Sequence, residues 1–257
     1  MSNEDRAMVR EKVFGMPDQV LGPSFMACPG CQHPTIGRIA AEVLVELGID
    51  GRAIAVIGVG CTGSLMFMTN IDIVLPSHGK GPDAATAIKR VRPDTIVWTL
   101  QGDGDCMAIG AGSLVGALTR GEKITVVMGN NTNYGTTGGQ MAPTTVMGQV
   151  TSTSPNGRDA AREGYPVHAA EMVATFKGCS YSARGALISP DNYQRTKKYV
   201  ETAFKKQIDN VGFSFVEIIS ACPVNWHKSP VESLKWIEDE VLAEFPLGEF
   251  KNVDRIE

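Results

Sequence analysis

Two short motifs carry the oxygen-bearing side chains that bind divalent cations. The motifs are Gly102-Asp103-Gly104-Asp105 and Asn131-Thr132-Asn133-Tyr134-Gly135. The Asp103 carboxylate is a hard oxygen ligand, and the Asn131 amide and the Asn133 main-chain carbonyl offer two more. The glycines of the first motif let the backbone approach a phosphate group closely. Together the motifs predict a magnesium ion that holds a diphosphate.

Each motif alone is also typical of a tight turn. What favours ligand binding is the pairing of the two motifs. Each follows a predicted strand, and Asn131 lies 28 residues after Asp103. Ligands of open α/β sheets bind beyond the carboxyl ends of the strands, where both motifs would lie.

The six cysteines fall into two groups. Cys28 and Cys31 form a Cys-x-x-Cys motif that suits zinc, a redox dithiol or an iron-sulfur cluster. The motif does not follow a strand and has proline in its first spacer position, which argues against the redox dithiol. Cys61 and Cys222 each follow a predicted strand, so four thiolates could converge near the magnesium loop. The leftover cysteines are expected to be small buried side chains; they are Cys106 and Cys179.

Strands alternate with helices along the chain, which predicts an open, mostly parallel α/β sheet with helices on both faces. The predicted strands are Ala53–Val59, Thr95–Leu100, Lys123–Met128, Cys179–Ala183 and Phe213–Ile219. The predicted helices are Pro34–Leu47, Pro82–Val91, Met107–Arg120, Pro166–Phe176, Pro190–Ile208 and a last one that starts with the capping sequence at Ser229 and ends near Phe245.

The segment from Asn130 to Gly164 has neither helical nor strand periodicity. Connections longer than about 12–15 residues in compact domains are usually functional, so this loop is expected to serve the site. No linker or repeat divides the chain. We therefore expect a single domain over residues 1–257, with an N-terminal arm at 1–27 and a C-terminal helix and tail at 229–257.

Composition excludes several classes of protein. With 43% hydrophobic and 20% charged residues over 257 positions, the chain is not intrinsically disordered. Its net charge of −4 makes nucleic acid an unsuitable partner. No apolar stretch approaches the roughly 20 residues of a membrane span. The charged start, Met1 to Lys12, contains no signal sequence and predicts a cytoplasmic protein.

The Gly-Asp-Gly motif, paired with Asn-Asn at Asn130-Asn131, resembles the diphosphate-binding domain of thiamine diphosphate enzymes. The resemblance implies that magnesium is held by Asp103, Asn131 and the Asn133 carbonyl. It also implies a set of residues that contact the cofactor: Gly60, Cys61, Thr62, His78, Gly104, Asp105, Gly135 and Thr136.

Further motifs extend the resemblance to one family, the β subunits of 2-oxoacid:ferredoxin oxidoreductases. They are Cys28-Pro29-Gly30-Cys31, Ile57-Gly58-Val59-Gly60-Cys61, His78-Gly79-Lys80 and Thr137-Gly138-Gly139-Gln140. In that family four cysteines bind a 4Fe-4S cluster beside the cofactor, which here implies Cys28, Cys31, Cys61 and Cys222. His78 matches a catalytic histidine that contacts the cofactor. Lys80 stands where the family often has arginine, which keeps the charge but loses bidentate geometry.

The resemblance implies oxidative decarboxylation of a 2-oxo acid with coenzyme A, giving acyl-CoA and carbon dioxide while electrons pass through the cluster to ferredoxin. The stretch from Ala142 to Asp159 resembles members that act on 2-oxoisovalerate, with 2-oxoglutarate or pyruvate as alternatives. Arg158 and Lys177 are expected to be surface charges.

The implied partners are an α subunit that carries the pyrimidine domain, a γ subunit and often a small ferredoxin-like subunit. Two competing hypotheses remain at this stage. One is a non-oxidative decarboxylase half, which would need no cluster, and the other is a non-catalytic subunit with structural zinc.

Overall fold

The computed structural model describes residues 15, 17 and 26–256. The charged start and most of the expected N-terminal arm at 1–27 therefore lie outside the described residues. Within the described part, no helix combines the length and apolar character that a bilayer span requires.

Seven strands form one sheet in the order β2-β1-β3-β4-β8-β7-β9. Neighbouring strands are parallel except for β9, which pairs antiparallel with β7 at one edge. The strands of this sheet are β1 (Ala53–Ile57), β2 (Asp72–Val74), β3 (Ile96–Gly102), β4 (Thr125–Asn130), β7 (Cys179–Ala186), β8 (Phe213–Ile219) and β9 (Gly248–Asn252). The predicted open, mostly parallel sheet is thereby confirmed.

Helices cover the sheet and its loops. They are α1 (His33–Glu46), α2 (Gly81–Val91), α3 (Ala111–Arg120), α4 (Ala160–Glu163), α5 (Ala169–Ala174), α6 (Pro190–Ile208), α7 (Pro223–Trp226), α8 (Pro230–Trp236) and α9 (Leu242–Glu244). Ser229 and Glu232 form the predicted capping box at the start of α8.

The two faces of the sheet bury different helices, as the alternation of side chains along a strand requires. Ala55 and Ile57 of β1 pack in the core that contains α1 and α6. Val56 points the other way, into the core beneath α2, α3 and α5. The same alternation places Trp98 in the first core and Val97 in the second. This two-sided burial explains the nearly continuous apolar strands of the sequence.

The predicted helix Met107–Arg120 is divided in the structure. Asp105–Ile109 forms a wider turn of π type, and α3 begins only after Gly110. Gly110 lies so close to Gly79 that a Cβ there would be 2.7 Å from the Gly79 carbonyl oxygen. This close packing of the two loops interrupts the regular helix. The predicted helix Pro166–Phe176 likewise begins later, because the Val167 N–H donates to the Pro143 carbonyl.

Several elements do not follow from the sequence pattern. Strands β2 and β9 are short and partly exposed edge strands, so they lack the apolar run of a buried strand. The loop from Asn130 to Gly164 contains a two-stranded hairpin, β5 (Asn133–Tyr134) with β6 (Gln140–Met141), as well as α4. The last predicted helix is interrupted by a π turn at Ile237–Val241.

Candidate cofactor site

The two oxygen-rich motifs lie side by side because β3 and β4 are parallel neighbours in the sheet. Gly102 at the end of β3 pairs in register with Gly129 near the end of β4. The loops that follow line one cavity. Its walls comprise His33, Val59, Gly60, Cys61, His78, Gly102, Asp103, Gly104, Asp105, Asn131, Asn133, Tyr134, Gly135, Thr136 and Thr137.

Asp103 is a buried carboxylate whose hydrogen bonds come from neutral groups. Its Oδ1 accepts from the Gly104 N–H at 2.8 Å, and its Oδ2 accepts from the Thr144 hydroxyl at 2.6 Å. Burial raises the pKa of the Asp103 carboxyl to about 7, against the opposing effect of these two bonds. A bound divalent cation would compensate this desolvation, so the environment suits a metal ligand.

The asparagines of the second motif face the same cavity. The Oδ1 atom of Asn133 is buried and has no hydrogen-bond partner among the described residues. Asn131 is fixed through its main chain, since its carbonyl accepts from the Trp226 indole N–H at 3.2 Å. The unpaired oxygen belongs to the Asn133 side chain, whereas the predicted ligand is its main-chain carbonyl. Asp103, Asn131 and Asn133 line the same cavity, and their oxygen donors fit magnesium.

His78 Nδ1 and Asp105 Oδ1 are in hydrogen-bond contact at the cavity wall. The Asp105 carboxylate also accepts from the Gly79 N–H at 2.8 Å and from Gln101 Nε2 at 2.6 Å. Both carboxylate oxygens of Asp105 therefore accept hydrogen bonds from protein donors. Asp105 orients His78, whose imidazole remains partly exposed at the cavity.

The cavity unites most of the residues that the sequence predicts to contact the cofactor. Thr62 is different, because its buried hydroxyl donates to the Gly58 carbonyl and it does not line the cavity. Lys80 also lies away from it. Its ammonium group contacts the Ser113 hydroxyl at 3.2 Å and the Asp83 carboxylate at 3.5 Å.

The four cysteines of the predicted cluster line a second cavity, which adjoins the first. They are Cys28, Cys31, Cys61 and Cys222. The two cavities share five wall residues, which are Gly60, Cys61, Asn131, Gly135 and Thr136. The topology therefore brings the four sulfur atoms next to the diphosphate loop.

Burial and hydrogen bonding define the state of these thiols. Burial raises the pKa of Cys31 to about 12 and also raises the pKa of Cys61. Such thiols remain protonated at neutral pH until a metal binds them. Cys61 Sγ lies 3.0 Å from the Thr136 hydroxyl, and Cys222 Sγ accepts from Asn225 Nδ2 at 3.5 Å.

In the described part of the chain, no three His, Cys, Asp or Glu side chains are arranged to hold one metal ion together. The remaining cysteines, Cys106 and Cys179, are fully buried in the core beneath α2, α3 and α5, as predicted.

The sequence does not single out His33, although this residue lines the first cavity. Its imidazole is 4% exposed, and neither ring nitrogen has a hydrogen-bond partner among the described residues. Burial lowers the pKa of His33 to about 4, so the ring is neutral. Only its position two residues after Cys31, the second cysteine of the motif, hints at a role.

Arg158 was expected at the surface, and this prediction is wrong. Its guanidinium group is buried and donates to several main-chain carbonyls of the long loop, including those of Thr145 at 2.6 Å and Tyr165 at 2.6 Å. The Arg158 guanidinium group therefore stabilises the loop, because it supplies the hydrogen-bond donors that the main-chain carbonyls need. Lys177 is exposed as expected.

Comparison with known proteins agrees with this geometry. The family described as thiamine pyrophosphate enzyme, C-terminal TPP binding domain, matches residues 58–218. The chain is 33% identical over 215 residues to 2-oxoglutarate synthase subunit KorB of Archaeoglobus fulgidus, covering 82% of this chain and 75% of the relative. This chain belongs to the thiamine diphosphate-binding subunits of the 2-oxoacid:ferredoxin oxidoreductases.

Another member of this family is ketoisovalerate oxidoreductase subunit VorA of Methanothermobacter thermautotrophicus. It is 37% identical over 225 residues, which cover 88% of this chain and 47% of the relative. The chain thus spans about half the length of that subunit. Among solved structures, the 2-oxoglutarate:ferredoxin oxidoreductase from Magnetococcus marinus shares the fold. It has a TM-score of 0.78 and 24% identity over 92% of this chain and 84% of that chain.

Proposed function

We propose that this chain holds thiamine diphosphate, magnesium and a 4Fe-4S cluster in an enzyme that oxidises a 2-oxo acid with coenzyme A to acyl-CoA and carbon dioxide. The observation that carries the proposal is the shared wall of the two cavities. The cavity beside the predicted diphosphate-binding motif and the cavity lined by the four cysteines share wall residues, among them Cys61 and Thr136. A decarboxylase that merely releases an aldehyde has no use for four thiols at this position.

When bound, thiamine diphosphate supplies an electron sink for decarboxylation, and a 4Fe-4S cluster supplies a one-electron path away from it. Asp103, Asn131 and the Asn133 carbonyl would hold the magnesium ion. Gly104 and Gly135 line the cavity without a side chain, so they would let the diphosphate approach the main chain.

His78 lies in the cavity wall, where it would serve as a proton carrier. Asp105 accepts from its Nδ1, which leaves the Nε2 atom with a lone pair to hold or move a proton near the substrate. Because Gly79 and Gln101 fix the same carboxylate, the imidazole keeps one orientation.

The position of the four cysteines, in a cavity that adjoins the proposed cofactor site, supports a cluster rather than structural zinc. Zinc in structural sites is bound by four ligands around one ion. Each cysteine of a 4Fe-4S cluster binds a different iron atom, so the sulfur atoms stand around a space. The hydrogen bonds to Cys61 and Cys222 are of the kind that tunes cluster potentials.

We propose 2-oxoisovalerate as the substrate, on the strength of the VorA relative and the stretch from Ala142 to Asp159. The α and γ subunits, and in some assemblies a ferredoxin-like subunit, would complete the enzyme in the cytoplasm, with ferredoxin as acceptor. We also propose that residues 1–257 form a single domain.

The test is anaerobic purification of the chain alone and with its partner subunits, followed by iron, zinc and thiamine analysis. We expect a brown protein that absorbs broadly near 400 nm because of thiolate-to-iron transitions. The assay is dye-coupled acyl-CoA formation from 2-oxoisovalerate, 2-oxoglutarate and pyruvate. Activity should need the α and γ subunits, because the family draws from the α subunit the carboxylate that activates the aminopyrimidine ring.

Three outcomes would contradict the proposal. Zinc in place of iron would indicate a structural site. Aldehyde release without dye reduction would indicate a non-oxidative decarboxylase. Dye reduction by the chain alone, with partner contamination excluded by mass spectrometry, would mean that this subunit carries a complete active site.

A further inference from the structure

His33 is a buried polar side chain that the protein itself leaves unpaired. Its ring is enclosed at the start of α1, and both nitrogens lack partners among the described residues. Buried polar groups in folded proteins are nearly always hydrogen-bonded, so such a group calls for an explanation. The ring also lines the cavity that contains Asp103 and Asn131.

The surrounding backbone is shaped to accept this ring. A Cβ at Gly129, near the end of β4, would lie 2.9 Å from His33 Nε2 and 3.0 Å from Cδ2. Only a glycine at this position leaves the imidazole its place beside the diphosphate loop. Packing therefore fixes the position of the ring. Its nitrogen atoms remain available for hydrogen bonds with a ligand that enters the cavity.

We propose that His33 is a cofactor-binding residue that donates a hydrogen bond from its imidazole to a phosphate oxygen of thiamine diphosphate. The inference rests on the proposed cofactor site and adds a contact to it. A neutral imidazole has one N–H donor, and an ionised diphosphate offers only acceptors. Direct ligation of magnesium is the weaker alternative, because magnesium prefers oxygen ligands.

The proposal makes opposite predictions for stability and for binding. His33→Leu removes an unpaired buried polar group, so the cofactor-free chain should unfold at an equal or higher urea concentration than the wild type. The same variant loses a hydrogen bond to a charged group. Its Kd for inorganic diphosphate and for thiamine diphosphate, each with magnesium, should rise about 10- to 100-fold in calorimetric titrations.

Two further variants make the test specific. Thr86→Val in α2 removes another buried hydroxyl that lacks a partner among the described residues but does not line the cavity, so it should leave both Kd values unchanged. His33→Gln keeps an N–H donor on a flexible side chain and should recover part of the lost affinity.

Each result has a distinct meaning. If His33→Leu binds both ligands as tightly as the wild-type chain does, the proposal about His33 is wrong. Tight binding by the wild-type chain would still support the proposed cofactor site. Lower stability of cofactor-free His33→Leu would also overturn it, because the imidazole would then serve the fold. If the wild-type chain binds neither ligand, the proposed cofactor site fails, and this inference fails with it.

Discussion

Gly58 offers the sharpest structural test of the cavity wall. It follows β1 and is buried against Asp105, the carboxylate that orients His78. A Cβ at Gly58 would lie 2.5 Å from Asp105 Oδ2 and 3.2 Å from the Gln101 Cα. The carboxylate cannot move aside freely, since it accepts from Gln101 Nε2 at 2.6 Å and from the Gly79 N–H at 2.8 Å.

Gly58→Ala should therefore lower the free energy of unfolding by about 2–4 kcal/mol. Overpacking a filled site costs about 1–3 kcal/mol. Weakening a hydrogen bond to a buried charge costs up to about 1.5–3 kcal/mol more. The measurement is urea unfolding of the cofactor-free chain, followed by tryptophan fluorescence, to which the buried Trp98 and Trp226 contribute. Gly112→Ala is the matched control, because a Cβ at Gly112 meets nothing within 4 Å; it should be neutral or slightly stabilising.

A double-mutant cycle identifies the cause. Asp105→Ala removes the carboxylate that the new methyl group would approach most closely, at its own cost to stability, and leaves the wider contact with the Gln101 Cα at 3.2 Å. Adding Gly58→Ala to this background should then cost little, so the two single effects should not add. Equal penalties for Gly58→Ala in the wild-type and Asp105→Ala backgrounds would refute the reasoning.

Three further substitutions test the site and its support. Asp103→Ala should abolish retention of thiamine diphosphate while the fold survives, which equilibrium dialysis and circular dichroism would check; wild-type retention would contradict the metal assignment. Cys222→Ser should lower the iron content of anaerobically purified protein far more than Cys106→Ser, because a hydroxyl replaces thiolate poorly, and equal losses would contradict the division of the cysteines. Glu217→Ala should cost about 3–5 kcal/mol in thermal or urea unfolding, because the buried Arg184 guanidinium loses its contact at 2.9 Å while keeping Glu171, and Asn130 Nδ2 loses its acceptor at 2.7 Å; a loss below about 1 kcal/mol would mean that these contacts contribute little.

The sequence predicts the elements that depend on local pattern. The helix Pro190–Ile208 and the strand Phe213–Ile219 have the predicted bounds. Their apolar periodicity is set by the two-sided core, which any parallel sheet of this kind requires. The convergence of Cys61 and Cys222 also follows, because both lie beyond carboxyl ends of parallel strands.

Features that depend on distant contacts are not predictable in this way. The Asn131 carbonyl accepts from Trp226, which is 95 positions away in the sequence. The unpaired state of His33 depends on its packing against Gly129, which is distant in the sequence. Arg158 is a charged loop residue, and charged residues are usually exposed. Its burial becomes understandable only when the loop carbonyls that it satisfies are seen together.

The edges of the described sheet limit how this subunit can meet its neighbours. At one edge β9 runs antiparallel and carries the charged side chains Glu249 and Lys251, and at the other β2 has only three residues, with Pro76 soon after them. Short, charged or proline-flanked edges discourage a further strand from pairing. An assembly of this chain would therefore grow through helix faces and the loops around the cavities. The sheet would then gain no further strand, and β1 and β8, which lead into Cys61 and Cys222, would keep the neighbours that they have here.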